Sequence, residues 1–207
     1  MIGICVEPLI SIMDLCNQGN LQKFLTNAKT IEERVKSKLI LDIAKGMLHL
    51  HSQIRPVLHR NLNSTNVLLK ETDSQLNAVI SDFGITKSKS AEKAEDSFKW
   101  MAPEVMLEKQ YSTKSDVFSF GVIVWEIIAQ KVPWEGYGEA KMLVAIENGE
   151  QLSLPYDISD FLKDLVLNCW EKNPENRWNF GKIVEHLEKN KDVRLFRIFS
   201  VHRKQTE

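Results

Sequence analysis

The stretch VFSFGVIVWEIIA, residues 117–129, constrains this chain more than any other. Almost every side chain in it is apolar, so as a helix it offers water no face and needs other elements around it. It is too short to cross a bilayer, which takes about 20 such residues. A central buried helix is the expectation, and the rest of the chain must cover it. From residue 104 onward that cover reads as helical, with segments near 139–148, 159–171 and 179–189. In the last of these Phe180, Ile183, Val184 and Leu187 fall on one face.

The first half of the chain mixes two periods. Thr30-Ile31-Glu32-Glu33 has the form of a capping box, a threonine followed three residues on by a glutamate. It predicts a long helix with Val35, Leu39, Ile43 and Met47 on one stripe, ending near His51-Ser52. LQKFL begins a shorter helix after the turn NQGN at 17–20. GICV and LISIM, parted by Glu7-Pro8, read as short buried strands. VL (57–58), VLLK (67–70) and NAVI (77–80) read as further strands, a small sheet lying on a helical body. The fold class is therefore α+β, with no internal repeat.

A chain of 207 residues suits one well-packed domain. Its net charge of -1 argues against nucleic acid or an anionic membrane as partner, since either would favour a clear basic excess. Cys5, Cys16 and Cys169 are scattered, with no C-x-x-C pair and no clustered histidines. Neither a disulfide framework nor a zinc site is expected, and reduced thiols fit a cytoplasmic protein. Cys5 and Cys169 read as small core residues, and Cys16 lies in a more polar stretch. The opening MIGICVEPLISIM has no basic region before its apolar part, so it does not read as a signal peptide. The tail 191–207 mixes basic and apolar residues and reads as a terminal helix, packed or frayed.

Three short motifs then fall in order: HRNLNSTN at 59–66, SDFG at 81–84 after the strand NAVI, and APE at 102–104. Each is weak alone; together, at this spacing, they resemble the catalytic loop, the metal-binding turn and the far end of the activation segment of a protein kinase. The segment KWMAPEVMLEKQYSTKSDVFSFGVIVWEIIAQKVPWEG, and the NST inside the loop, are similar to the tyrosine-kinase-like group of serine/threonine kinases. CWEKNPENRWNF at 169–180 resembles the family segment that carries a late arginine. The resemblance covers residues 1–190. It implies a kinase-like fold, mainly the helical C-lobe, with 1–13 as the last N-lobe strands, 14–19 as the hinge and 20–190 as the C-lobe. Protein substrates or protein partners come with it.

Phosphoryl transfer needs positioning and charge neutralisation more than covalent chemistry. The resemblance gives magnesium to Asn66 and Asp82, both oxygen ligands that suit a hard cation. It gives ATP's adenine to Met13, Asp14, Leu15 and Cys16 in the hinge, with Leu68 beneath the ring. His59 and Phe83 correspond to a stacked apolar spine, with Gly84 closing the turn. Arg60 corresponds to the arginine that pairs with a phosphorylated activation loop, for which Thr86, Ser88, Ser90 and Ser97 are the candidate acceptors. Glu104 and Arg177 correspond to a buried ion pair, and Asp116 to the aspartate that holds the catalytic loop's backbone.

Two departures stand out. Asn61 occupies the position of the aspartate that accepts the substrate hydroxyl's proton, and an amide accepts none. General-base catalysis is typically worth roughly 10²–10⁴-fold. Asparagine keeps aspartate's shape, so the loop is expected to fold and to lose only its chemistry. Ahead of the hinge, the sequence contains no G-x-G-x-x-G, no V-A-I-K strand and no partner glutamate helix. Three readings follow from the residues: a catalytically impaired pseudokinase, a truncated kinase, and an active ATP- and magnesium-dependent serine/threonine kinase whose N-lobe lies outside this sequence.

Overall fold

Helix α4, Thr113–Ala129, forms the centre of the molecule, as the apolar run requires. It starts ahead of that run because Ser112 caps it: the Ser112 hydroxyl accepts from the amides of Lys114 and Ser115, and the Ser115 hydroxyl reaches back to the Ser112 amide. The computed structural model describes residues 3–5, 10–12, 14–83, 97–190 and 195. In chain order these form β1 (Gly3–Cys5), β2 (Ile10–Ile12), α1 (Leu21–Asn27), α2 (Glu33–His51), β3 (Val67–Thr72) and β4 (Gln75–Ile80). After them come α3 (Pro103–Glu108), α4, α5 (Glu139–Glu147), α6 (Asp160–Cys169) and α7 (Phe180–Lys189). The fold is α+β, mostly helical.

The sheets are two antiparallel hairpins. β1 pairs with β2, Gly3 opposite Ile12, and β3 pairs with β4, Val67 opposite Ile80. In β3 the alternation is clean: Val67 and Leu69 point into the helical core, while Leu68 and Lys70 turn half outward. Alternation of this kind fixes the register, since a slip of one residue would expose Val67 and Leu69.

The main core joins the stripe Leu39, Ile40, Ile43 and Met47 of α2 to Phe120, Ile123 and Ile127 of α4. Leu162, Leu165 and Cys169 of α6 and Phe180 and Ile183 of α7 close it. Two close approaches set the spacing of the layers. A Cβ on Gly46 would lie 2.8 Å from Ile80 Cγ1, so only glycine lets α2 meet β4 there. A Cβ on Gly121 would lie 2.7 Å from Cys169 Cβ, which brings α6 and the following Trp170 hard against α4.

Some expectations need correction. Val57-Leu58 is not a strand; the Val57 amide donates to the Leu50 carbonyl at 3.0 Å, so this segment folds back on the end of α2. The capping box at Thr30 does not form. α2 is capped at Glu32 without a side-chain bond, and the Glu33 carboxylate instead accepts from the Leu195 amide at 3.1 Å. Leu195 is buried, so this one residue of the tail packs on the body, while 191–194 and 196–207 lie outside the described residues. No helix among the described residues is long and apolar enough to cross a membrane.

Candidate functional site

The loop 59–66 is built outward from one buried carboxylate. Asp116, in the first turn of α4, is 2% exposed. Its Oδ2 accepts from the His59 amide at 2.9 Å and lies 2.9 Å from His51 Nε2 at the end of α2; its Oδ1 accepts from the Arg60 amide at 3.0 Å. A buried carboxylate with this many donors is satisfied without a second charge beside it. The bond to the Arg60 amide also holds that residue in the left-handed region, φ 67°, which costs an ordinary side chain energy. The Arg60 side chain is left exposed.

His59 is fully buried, and neither ring nitrogen has a hydrogen-bond partner among the described residues. Burial pushes its pKa below the ordinary 6.5, partly opposed by the charge of Asp116. The backbones of His59 and Ser81 lie near the ring without closing a bond of good geometry. Phe83 is 38% exposed and makes no ring contact with His59. Asp82 just before it is left-handed, φ 55°.

Three asparagines lock the rest of the loop. The Asn61 carbonyl accepts from Asn63 Nδ2 at 3.0 Å and from Asn66 Nδ2 at 2.8 Å. The Asn63 amide oxygen caps the 3-10 turn Ser64–Asn66 through the Thr65 amide at 2.9 Å and the Thr65 hydroxyl. Asn63 Nδ2 also reaches Asn61 Oδ1 at 3.4 Å, a long bond between two side-chain amides. The Asn61 side chain is half-buried, and its own carbonyl is held by two side-chain amides.

Asn66 and Asp82 sit at the same end of the β3–β4 hairpin. Ser81 donates to the Asn66 carbonyl from both its amide, 2.9 Å, and its hydroxyl, 3.0 Å, so Asp82 follows directly beside Asn66. Because Asn66 Nδ2 is committed to Asn61, its Oδ1 is left without a donor among the described residues. One free amide oxygen and one exposed carboxylate make a donor set that fits magnesium, which takes few protein ligands and fills the rest with water and phosphate oxygens.

A second buried carboxylate joins the loop to the segment that precedes α3. Glu126 of α4 is 3% exposed; its Oε1 accepts from the Ser64 hydroxyl at 2.8 Å and its Oε2 from Trp100 Nε1 at 3.1 Å. Ser119 adds a bond from its hydroxyl to the Trp100 carbonyl, 2.7 Å. Burial raises the Glu126 pKa to about 7, partly offset by its two donors. Sequence reasoning missed this joint. The signal was present as the one carboxylate interrupting the apolar run, since a charge there must find partners.

Glu104 and Arg177 are brought together. Arg177 Nη1 and Nη2 donate to Glu104 Oε1 and Oε2 at 2.7 and 2.9 Å, a bidentate pair with the guanidinium side chain wholly buried. Arg177 also donates from Nε to the Glu171 carbonyl, 2.8 Å, and from Nη1 to the Lys114 carbonyl, 3.0 Å. The first turn of α3 is thereby tied to α4 and to the loop before α7.

The segment 14–20 runs along β3: Gln18 N donates to the Leu69 carbonyl at 3.1 Å and Leu69 N to the Gly19 carbonyl at 2.8 Å. Asp14 is exposed and meets Lys70 Nζ at 3.2 Å, Leu15 is 82% exposed, and Cys16 is half-buried with a free thiol. Leu68, paired with the 40% exposed Val79, offers an apolar ledge on the outer face of the hairpin. Ser97 opens the 3-10 turn Ser97–Trp100 and is half-buried. Met13, Gly84, Thr86, Ser88 and Ser90 lie outside the described residues.

Comparison of the sequence with known proteins finds matches along nearly all of its length. The family model described as protein tyrosine and serine/threonine kinase matches residues 1–187. The serine/threonine/tyrosine-protein kinase HT1 of Arabidopsis thaliana is 34% identical over 197 residues, which cover 91% of this chain and 49% of HT1. The serine/threonine-protein kinase CTR1 of the same plant is 31% identical across 89% of this chain and 23% of its own length. The probable serine/threonine-protein kinase roco7 of Dictyostelium discoideum is 32% identical across 90% of this chain and 8% of its own. The chain thus spans about half the length of HT1 and far less of the other two.

Proposed function

The chain belongs to the protein tyrosine and serine/threonine kinase family, and on that premise we propose that it is a catalytically impaired, tyrosine-kinase-like pseudokinase that works by binding protein partners in the cytoplasm. The observation that carries this reading is Asn61. It stands in a loop whose backbone is held by Asp116, Asn63 and Asn66, so the frame for catalysis is kept while the proton acceptor is replaced by an amide. His59 is fully buried, so its ring does not reach a substrate hydroxyl and offers no substitute base. In this reading residues 14–19 are the hinge and 20–190 the lobe that meets partners.

A second reading, an active serine/threonine kinase, is favoured by the placement of Asn66 and Asp82. These two would hold magnesium, with Asp14–Cys16 and Leu68 on the adenine side of ATP; the ion supplies charge neutralisation at the phosphate oxygens. What this chain's own residues contribute is orientation: Asn66 Nδ2 bonded to the loop backbone and Ser81 bonded to Asn66 keep the two ligands side by side.

The test is phosphotransfer by the purified 207-residue polypeptide with ATP and magnesium, using autophosphorylation and a generic basic protein as readouts. No signal above a mock preparation is expected. Robust transfer that vanishes in Asp82→Ala would overturn the pseudokinase reading in favour of the second. Calorimetry with magnesium and ATP is expected to give weak or no heat, and tight magnesium-dependent binding would count for the second reading as well.

A further inference from the structure

Beneath α3 and α5 lies a cavity of about 330 Å³ that no residue of the loop 59–66 lines. Its walls are Phe118 and Val122 of α4, Met142 and Ile146 of α5, Leu107 of α3 and Trp170 after α6. It opens where two apolar clusters meet: Val122 and Trp170 belong to the main core, while Met142 belongs to a smaller cluster with Phe98 and Met106. The two clusters do not close on each other. Leu107, 47% exposed, carries the apolar lining out to solvent, and Val144 on α5 is 56% exposed.

The mouth is acidic. Glu147 stands in the last turn of α5, a carbonyl end that has no basic residue to complement it. Glu150 follows, and neither carboxylate has an ion-pair or hydrogen-bond partner among the described residues. Lys172 is the cation that lines the same cavity. Two unpaired carboxylates at a helix's negative end outweigh one lysine, so the rim favours a cationic neighbour beside an apolar anchor.

We propose that this cavity is a docking site for a protein segment in which a bulky apolar residue lies next to arginine or lysine. A cavity of this size is at the lower end of those that take a ligand, and apolar anchors in such pockets dominate interface energies. The apolar surface continuing over Leu107 is what distinguishes a chain from a small molecule, because a segment covers the ledge as well as the cavity. Docking here gives the binding-module reading its partner and rests on that reading for its purpose alone; the binding does not depend on whether the loop transfers phosphate.

The experiment is fluorescence anisotropy on the 207-residue polypeptide with a labelled hexapeptide carrying Trp-Leu between arginines. Matched peptides replace Trp-Leu by Ser-Ser, or the arginines by glutamates. Saturable micromolar binding of the first peptide is expected, falling about tenfold in Leu107→Asp, which places a charge on the exposed anchor surface. The double variant Glu147→Lys, Glu150→Lys is expected to bind the arginine peptide about fivefold more weakly and the glutamate peptide more strongly than the parent does. Thermal melts of both surface variants, unchanged within a few degrees, establish that they fold. Binding that ignores Leu107→Asp, ignores the charge swap, or never saturates would overturn the proposal. So would dodecylammonium binding where the peptide does not, or a dimer that Leu107→Asp dissociates, since the occupant would then be an amphiphile or a second copy. Phosphotransfer by the same polypeptide would sink the pseudokinase reading and leave these titrations untouched.

Discussion

The loop 59–66 and the cavity beneath α5 lean on the same helix, and α4 holds them in opposite ways. Toward the loop and the turn at Trp100 it presents Asp116, Ser119 and Glu126, polar groups that are all buried and each bonded to at least one of those two segments. Toward the cavity it presents Phe118 and Val122, and the polar brace on that side comes from elsewhere, through Arg177, whose guanidinium lies 5.2 Å from the Phe118 ring. Apolar contacts are non-directional, so a face made only of them can leave a gap without losing its fold. Hydrogen bonds are directional, and a buried donor left unmade is costly, so the polar face must be complete. The side of α4 that fixes geometry is the polar one, and the side left open for binding is the apolar one.

The largest effect should come from the brace on the cavity side. Arg177→Met leaves Glu104 without its partner and is expected to cost about 3–5 kcal/mol, seen as a lowered midpoint in urea unfolding. If the loss were below about 1 kcal/mol, the cavity side would not depend on that pair at all. On the loop side, Asp116→Ala strips the acceptor from the His59 and Arg60 amides and from His51. About 2–3 kcal/mol should be lost, together with protection of the His59 and Arg60 amides from hydrogen exchange. Unchanged exchange at those amides would mean that the loop is held by its asparagines alone.

Glu126 gives a smaller, pH-dependent effect. Its folded pKa, about 7, lies above the ordinary 4.5, so the folded chain binds this proton more tightly than the unfolded one. The sign is therefore that stability from this group is full below about 4.5, falls as pH rises toward 7 and levels above it. His59 acts in the other sense: its depressed pKa means stability present above 6.5 is lost as pH falls below that value. Glu126→Gln keeps an oxygen for Trp100 and offers an amide to Ser64 while removing the titration. Chemical denaturation of this variant between pH 5 and 8 should show a flatter or rising profile where the parent declines, by on the order of 1 kcal/mol per pH unit at most. A parent and variant with parallel profiles would place the Glu126 titration outside this range. The smallest effect is expected from Asn61→Asp: no gain in phosphotransfer by the 207-residue polypeptide, because the loop is not the only part of the chemistry involved. A clear rise in rate would show that residue 61 alone separates this chain from activity.

Much of the frame is legible in the sequence. The stripe Leu39, Ile43, Met47 and the face Phe180, Ile183, Leu187 reappear as buried sides of α2 and α7, because a 3.6-residue period leaves an amphipathic helix one way to lie on a core. VL at 57–58 misled because two apolar residues carry no period, and Thr30 because a capping motif competes with whatever else can use its glutamate, here the Leu195 amide. The strands NAVI and VLLK next to two of the motifs were legible, but the bonding of the motif residues was not. That Asp116 takes the His59 and Arg60 amides, or that Glu104 meets Arg177, depends on contacts between segments far apart in the chain.

By itself, then, the sequence determined the helical body, the β3–β4 hairpin, the order of the motifs and the amide at residue 61, since each depends on local periodicity or on residue chemistry alone. Which partners the buried charges of α4 take, how Arg177 reaches Glu104, and where a cavity is left between two apolar clusters were settled by packing alone. Those are contacts between elements tens of residues apart, and their geometry exists only once the helices have packed.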